Sequence, residues 1–524
     1  MSLGLDLLFI MNSSLQIGGW SPANYEVLFT NPVCPRQKFV SYRPRNPPAE
    51  TLESSRGPVR ISPDRDEVKP IVLDTAGIPT LGGGHRPFIP ANVFCDQSDL
   101  EASTLRGQEN PYRKADSPLN RIQDWVEGTK PGDELFIASF SFSMTSVGHW
   151  VCEAALRGVR VKVFMHEPEF GSDAFDTIQQ CPGLELLQFK SSGRLAHFKS
   201  LMVLDHASDT VRISFQSGNI SSGTWGHHEN WNFVTLPRQH WFSQDHLCLR
   251  DALTEESLGN MKLLYRNLDA CRLAHGVDEA RAQDPWMKDY FIPKSGGPYD
   301  DRKELTKLAT EVERSSAVWI AAHHMTEPGL IRALTDKLKA DPTFEVKMLV
   351  DAELFWSAYQ DPIGQGLAWK VDGKVYGESD SLTSYCLWGL TEADARKVRC
   401  SLFNRSEFDA DFSPKALEKA GAELRFVETN HLGKMLFHNK FILFQYKTPE
   451  SGIEGSLFTG AGNLTQSGFE KNFENYYWIR IPHVYAAFRR QFTMLFDKAV
   501  SEKDLPLTWD FRTVDDGWEA YPSE

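Results

Sequence analysis

The chain has no run approaching the roughly 18–20 consecutive apolar residues that a membrane-spanning helix requires. None of its eight cysteines forms a Cys-x2-Cys pair, so a structural zinc site is not expected. Gly82-Gly83-Gly84 is followed by neither Lys-Ser/Thr nor a helical pattern, which excludes a phosphate loop of the P-loop type. Dense Lys/Arg runs are also missing, and the net charge is −14, so the surface as a whole is a poor scavenger of nucleic acid. Only a local basic cleft would bind a polyanion. The opening MSLGLDLLFIMNSSLQIGGW has an apolar patch without the Lys or Arg that precedes a secretory core, and reads equally as a shortened signal or as a first buried element.

What is present describes an ordinary globular protein. A length of 524 residues with 41% hydrophobic and 12% aromatic content suits two domains with substantial cores, plus embellishments. The even spread of Cys34, Cys95, Cys152, Cys181, Cys248, Cys271, Cys386 and Cys400 favours an exported protein over a cytoplasmic one. Cys34–Cys95 and Cys386–Cys400 are the expected pairs.

Two stretches echo each other. HFKSLMVLD starts at His197 and is followed by SGNISSGTWGHHENWNF from Ser217; HNKFILF starts at His438 and is followed by TGAGNLTQSGFEKNFENYYW from Thr459. With 15 histidines, a lone His-x-Lys arises roughly once by chance. Here the only two each open an apolar run and are followed, at similar distance, by Asn and then Glu-Asn. Residues i and i+2 of a strand share a face, so His197 with Lys199, and His438 with Lys440, each present an imidazole and an ammonium to one spot. Asn219 and Asn463 stand in tight turns where an amide reaches an anion. Glu229 and Glu474 open the strand-like NWNFVTL and NYYWIRI, and a carboxylate beside an imidazole fixes its tautomer and orientation.

These residues resemble the phospholipase D superfamily, whose half-motif is His-x-Lys-x4-Asp followed by Gly-Ser-x-Asn and often Asn-x-Glu. The resemblance covers most of residues 115–500 as two repeats. It extends to their openings, IQDWVEGTKPGDELFIASFSFS with AALRGVRVKVFMH, and LATEVERSSAVWIAAHHMT with LIRALTDKLKADPTFEVKMLVD. The departures are specific. The family Asp is Leu204 in the first repeat, with Asp205 one position late, and Gln445 in the second. Gly-Ser-x-Asn is split: Gln216-Ser217-Gly218-Asn219 keeps the Ser, and Gly460-Ala461-Gly462-Asn463 keeps the Gly. In this the chain leans towards tyrosyl-DNA phosphodiesterases.

The resemblance implies an α/β fold of two pseudo-symmetric repeats, each a mixed sheet flanked by helices, with one composite site at their interface. It implies phosphodiester hydrolysis through a covalent phosphohistidine, with His197 as nucleophile and His438 as acid and base. Lys199, Lys440, Asn219 and Asn463 would hold the non-bridging oxygens, and Glu229 and Glu474 would orient the imidazoles. Ser217 and His323 are the expected substrate contacts. No metal or cofactor is expected, because the lysines supply the positive charge. His227-His228 beside Glu229 reads as a site-lining turn. The expected substrate is a phospholipid headgroup ester; a nucleic-acid end, or transfer of a phosphatidyl group, is the alternative. A monomer is expected.

Along the chain, the Pro/Gly-rich residues 1–112 read as an arm wrapping a domain. The first repeat follows over 113–295 and the second over 296–524. An insertion at 355–410 carries Trp356, Tyr359, Trp369, Tyr376 and Trp388, either as a small satellite core or as an aromatic lid.

Overall fold

A computed structural model describes residues 24–30, 71–73, 79–81, 118–167, 173–190, 193–221, 224, 227–351, 368–371, 374–377, 390–391, 412–427, 436–450 and 453–501. Cys34, Cys95, Cys386 and Cys400 lie outside them, so the expected pairings do too. The other four cysteines form two disulfides. Cys152–Cys181 ties the helix Thr145–Leu156 to the turn after Asp173–Gln179, and Cys248–Cys271 joins the helices Trp241–Ala252 and Met261–Ala274.

Two sheets of the same plan dominate. The first contains β1 (Tyr25–Thr30), β2 (Glu134–Ser139), β3 (Arg160–His166), β4 (Leu184–Phe189), β5 (Lys199–Asp205), β6 (Thr210–Gln216) and β7 (His227–Pro237). The second contains β8 (Met287–Ile292), β9 (Ser315–Ala322), β10 (Glu345–Asp351), β11 (Glu423–Val427), β12 (Lys440–Glu450), β13 (Ile453–Gly460) and β14 (Glu474–Ile479). The spatial orders are β1-β7-β6-β5-β2-β3-β4 and β8-β14-β13-β12-β9-β10-β11, the same path shifted by seven. In both, the last three strands run parallel, linked by helical crossovers, and the rest antiparallel. This is the mixed α/β fold of two pseudo-symmetric repeats that the sequence implies.

Local chemistry explains the boundaries. The helix Thr145–Leu156 stops where Gly158 takes φ +92°, a left-handed conformation that favours Gly, and β3 follows two residues later. Pro328 opens the helix Pro328–Ala340, whose Glu327 carboxylate accepts from the Gly329 and Leu330 amides. The helical pattern ESLGNMKLLYRNLDACRLA is divided into two helices, Glu255–Leu258 and Met261–Ala274. Asn260 interrupts it and caps the second, accepting from the Leu263 amide.

Sheet membership refines the repeat limits. The arm contributes β1, the outer strand of the first sheet, in antiparallel register with β7. Its counterpart β8 starts at Met287 and pairs with β14, so the second sheet begins inside the segment assigned to the first repeat. Strand pairing across long sequence separation carries no local signature, which is why neither edge was legible. Of the 355–410 insertion, the described residues are short paired strands at 368–371, 374–377 and 390–391.

Each sheet is apolar on both faces, as parallel strands under helices require. Ile137, Val163 and Leu201 pack beneath Ile122, Val147 and Val151; Ile320, Met348 and Phe444 pack beneath Leu330, Leu334 and Leu417. The two inner faces share one core, where Met202 and Phe215 of the first half meet Phe441, Leu457 and Tyr477 of the second. Phe215 stacks on Tyr477 with centroids 3.6 Å apart. The edge of that shared core is where the two His-x-Lys motifs arrive.

Candidate active site

Each motif begins on a cross-link between halves. His197 and His438 stand just ahead of β5 and β12, whereas the sequence places them within the strands. Their backbones pair with the opposite half instead. The His197 amide donates to the Phe473 carbonyl at 2.8 Å, and the Phe473 amide donates to the Leu195 carbonyl at 2.8 Å. Reciprocally, Leu436 and Phe437 run parallel to His227 and His228, and the His438 amide donates to the His228 carbonyl at 3.0 Å. Such mutual contacts are what a twofold relation between like surfaces produces.

The carboxylates cross over with them. His197 Nδ1 lies 2.7 Å from Glu474 Oε2, and His438 Nδ1 lies 2.8 Å from Glu229 Oε1. Each glutamate therefore orients the histidine of the other repeat. Lys199 and Lys440 are both almost wholly buried, at 0% and 1% exposure. Lys199 Nζ lies 2.8 Å from His197 Nε2, and Lys440 Nζ donates to the His438 carbonyl at 3.1 Å.

Burying so many charges in one place displaces their proton affinities. Desolvation holds His197 well below the usual imidazole range, helped by the Lys199 and Lys440 ammoniums. His438 is depressed in the same way by burial, then by Lys440, His323, His227 and Lys199. Both lysines thus act on both histidines, so the two half-sites lie close together. Burial lowers Lys199 to about 8, with Glu474 and Glu229 pulling it back up, and burial also holds Lys440 well below the usual ammonium range. Burial raises Glu474 to about 8 against the pull of Lys199. Two lysines beside two depressed histidines make this a candidate functional site.

The remaining expected residues are distributed around this centre. Asn219 and Asn463 occupy turns after β6 and β13, and their buried Oδ1 atoms meet no partner among the described residues. The turns need their glycines: a Cβ on Gly462 would lie 2.0 Å from the Tyr476 hydroxyl, and one on Gly218 3.2 Å from Glu229 Oε1. Ser217 faces the protein. Its hydroxyl donates to Glu229 Oε2 at 2.6 Å and accepts from the Asn230 amide at 2.9 Å, so it holds a carboxylate in place. His323 directly follows β9, with its ring 4.9 Å from that of His438. His227 and His228 point to opposite sides of β7. His227 Nδ1 sits 3.3 Å from Glu229 Oε1, while His228 is buried, pushed down to about 3 by desolvation, with its ring 5.9 Å from that of Phe437.

Several supporting residues gave no clear sequence pattern. The Asn after each glutamate anchors the opposite motif: Asn475 Oδ1 accepts from the Lys199 amide at 2.9 Å, and Asn230 donates to Asn439 at 3.3 Å. The repeated Glu-Asn was the available signal. At the ends of β3 and β10, His166 Nδ1 accepts from the Ala196 amide and Asp351 Oδ2 from the Phe437 amide, fixing the residue before each site histidine. Aligning VFMH with MLVD would have found this pair. Phe140 closes the first-half wall, 5.1 Å from the His197 ring and 5.8 Å from Lys199 Nζ. Behind Asn475, Tyr477 meets His246, which adjoins a buried cluster in which Arg272 and Arg281 bind Asp245, Asp289 and Asp301. Burial and the neighbouring Asp245 hold the Asp289 carboxyl well above the usual range.

Residues 311–496 match the family model of the cardiolipin synthase, PLD-like domain. No curated protein sequence matches the chain. Among solved structures, phosphatidylserine synthase of Haemophilus influenzae Rd KW20 is 12% identical, with a TM-score of 0.45, over 73% of this chain and 85% of that one. Polyphosphate kinase of Porphyromonas gingivalis is 12% identical, with a TM-score of 0.40, over 76% of this chain and 52% of that one, so the chain spans about half that kinase's length. Nuc of Salmonella typhimurium, a phospholipase D family member, is 14% identical, with a TM-score of 0.24, over 44% of this chain and all of that one. The second half thus matches a PLD-like domain, and the first half repeats its strand path and its half-motif.

Proposed function

We propose that the protein is a phospholipase D-type phosphodiesterase that hydrolyses a phospholipid headgroup ester through a covalent phosphohistidine, without a metal ion. The observation that carries this reading is the crossed pairing, in which each glutamate holds the histidine of the opposite half. It takes up the Nδ1 atom of each ring, so that chemistry falls to Nε2, and ties the two half-sites to each other.

The roles follow from the hydrogen bonds. A Lys199 ammonium beside His197 Nε2 requires a lone pair there, so the ring proton is on Nδ1, facing Glu474. That tautomer is the nucleophilic one. An arriving phosphate draws Lys199 towards its own oxygens and frees the lone pair. Nε2 then forms the P–N bond as the P–O bond to the headgroup breaks, and protonated His438 gives its proton to the departing oxygen. Neutral His438 next takes a proton from water; the water oxygen attacks phosphorus, the P–N bond breaks, and His197 is restored. Lys199, Lys440, Asn219 and Asn463 hold the non-bridging oxygens, a task for which fixed cations and amides in a dry pocket are well suited. The lipid substrate is supported by a net charge of −14 and by the lack of any dense basic run along the chain.

The test is headgroup release from mixed phospholipid vesicles in EDTA, with a plasmid in the same tube and the His197→Ala/His438→Ala double variant as control. Headgroup release with intact plasmid is the expected result. A cut plasmid with untouched lipid makes the protein a nuclease or nucleic-acid-end phosphodiesterase, and transfer to an added alcohol makes it a phosphatidyl transferase. Activity surviving in the double variant, or lost irreversibly in EDTA, overturns the mechanism.

A further inference from the structure

The two half-sites differ at one position with a chemical consequence. Two residues before Glu229 stands His227; two residues before Glu474 stands Asn472, whose amide donates to Glu474 Oε1 at 3.3 Å. The first-half glutamate therefore has an imidazole on each side. Glu229 Oε1 lies 2.8 Å from His438 Nδ1 and 3.3 Å from His227 Nδ1, and the three donor atoms all fall within 4.8 Å of one another. Tetrahedral zinc with bonds of about 2.0–2.1 Å separates its ligands by about 3.3 Å. Two imidazole nitrogens and one carboxylate oxygen form a donor set that suits zinc and its neighbours in the transition series. The His227 side chain is 17% exposed, against 0% for Glu229 and 10% for His438, so an ion has a way in past His227.

We propose that His227, Glu229 and His438 form an inhibitory site for a divalent transition-metal ion, zinc being the reference. Coordination takes the Nδ1 lone pair of His438 and the Glu229 oxygen that orients it. The remaining ring proton of His438 then sits on Nε2, which has no lone pair with which to take a proton from water. A neutral, metal-bound imidazole is also a weaker acid towards the departing alcohol than imidazolium. The ion thus removes both jobs assigned to His438. This inhibitory half rests on the proposed function, whereas the binding site does not. The second half offers no such site, because the Asn472 amide gives Glu474 a hydrogen-bond donor and no imidazole.

The experiment uses full-length protein stripped with EDTA and desalted, titrated with ZnCl2 by calorimetry and with CoCl2 by visible absorption. One saturable equivalent is expected, with cobalt showing the d–d bands of a low-coordinate site. His227→Asn, which copies the second half, should weaken binding at least about tenfold, since losing even an outer-shell partner of a metal costs 10–100-fold. Asn472→His, which copies the first half, should add a second equivalent. Circular dichroism of both variants checks that they are folded. The absence of saturable binding, or binding equally tight in folded His227→Asn, overturns the site. In a phosphodiester assay, zinc should stop turnover reversibly in the unmodified protein and require at least about tenfold more metal in His227→Asn. Zinc bound at the triad with an unchanged rate overturns the inhibition, and with it the role given to His438, while leaving the metal site standing.

Discussion

The two halves of this molecule follow one strand path and build one pocket, yet their half-sites are not copies. Where the first has Ser217 donating to Glu229, the second has Ala461, and Glu474 is served by Asn472 instead. Where the first wall is Phe140, the second is His323; where His166 holds the residue before His197, Asp351 holds the one before His438. Lys199 reaches its histidine's Nε2, whereas Lys440 reaches its histidine's carbonyl. The shared features are those that bring two imidazoles and two lysine side chains together. The features that differ are the ones that set each histidine's proton. On the proposed mechanism a twofold scaffold would serve an asymmetric reaction, because a nucleophile and an acid need opposite protonation states in the same instant.

The largest test of that asymmetry separates the two histidines. His197→Ala and His438→Ala should each lower turnover of a natural ester by at least about 10³-fold. They should diverge on a nitrophenyl phosphodiester, whose leaving group needs no proton. His438→Ala should release one equivalent of nitrophenol in a burst and leave an acid-labile phosphohistidine, while His197→Ala should give neither. The glutamates extend the comparison across the interface. Glu474→Gln should behave like a lesion of His197 and Glu229→Gln like one of His438, each costing about 10²–10⁴-fold. A burst pattern that follows the glutamate's own repeat would refute the crossed assignment.

The pH dependence is a smaller effect with a defined sign. Glu474 works as a carboxylate, and burial has raised it to about 8, so kcat/KM should rise with pH towards that value. Lys199 works as an ammonium, and burial has lowered it to about 8, so kcat/KM should fall above that value. Because His438 must also be protonated and is held well below the usual imidazole range, a bell centred below pH 8 is expected, and Glu474→Gln should remove its rising limb. The smallest effect comes from making the first half resemble the second at Ser217. Ser217→Ala leaves the Glu229 oxygen and the Asn230 amide without their partner, and should cost about 1–3 kcal/mol by denaturant unfolding with only a modest change in rate.

The missing family aspartate shows how the sheet does without it. Leu204 is wholly buried in the core shared by the halves and pairs with Glu134 across β2. Gln445 pairs with Ala317 midway along β12, where its carbonyl accepts from Ser316. Neither position lies at the pocket, so strand pairing and apolar packing suffice there.

What the sequence by itself determined was the inventory: two His-x-Lys strands, two Asn turns, two Glu-Asn strands, and the helix–strand alternation that makes each half a layered α/β unit. These are local matters, fixed by periods of two and 3.6 residues and by where Gly, Asn and Pro interrupt them. The tertiary structure alone decided which glutamate serves which histidine, that β1 and β8 close the sheets, and that Asn475 anchors Lys199 across 276 residues. Partners in one repeat lie near each other along the chain, but the twofold packing turns β7 and β14 towards the opposite motif. No local pattern records that exchange, because it depends on how two inner faces fit together.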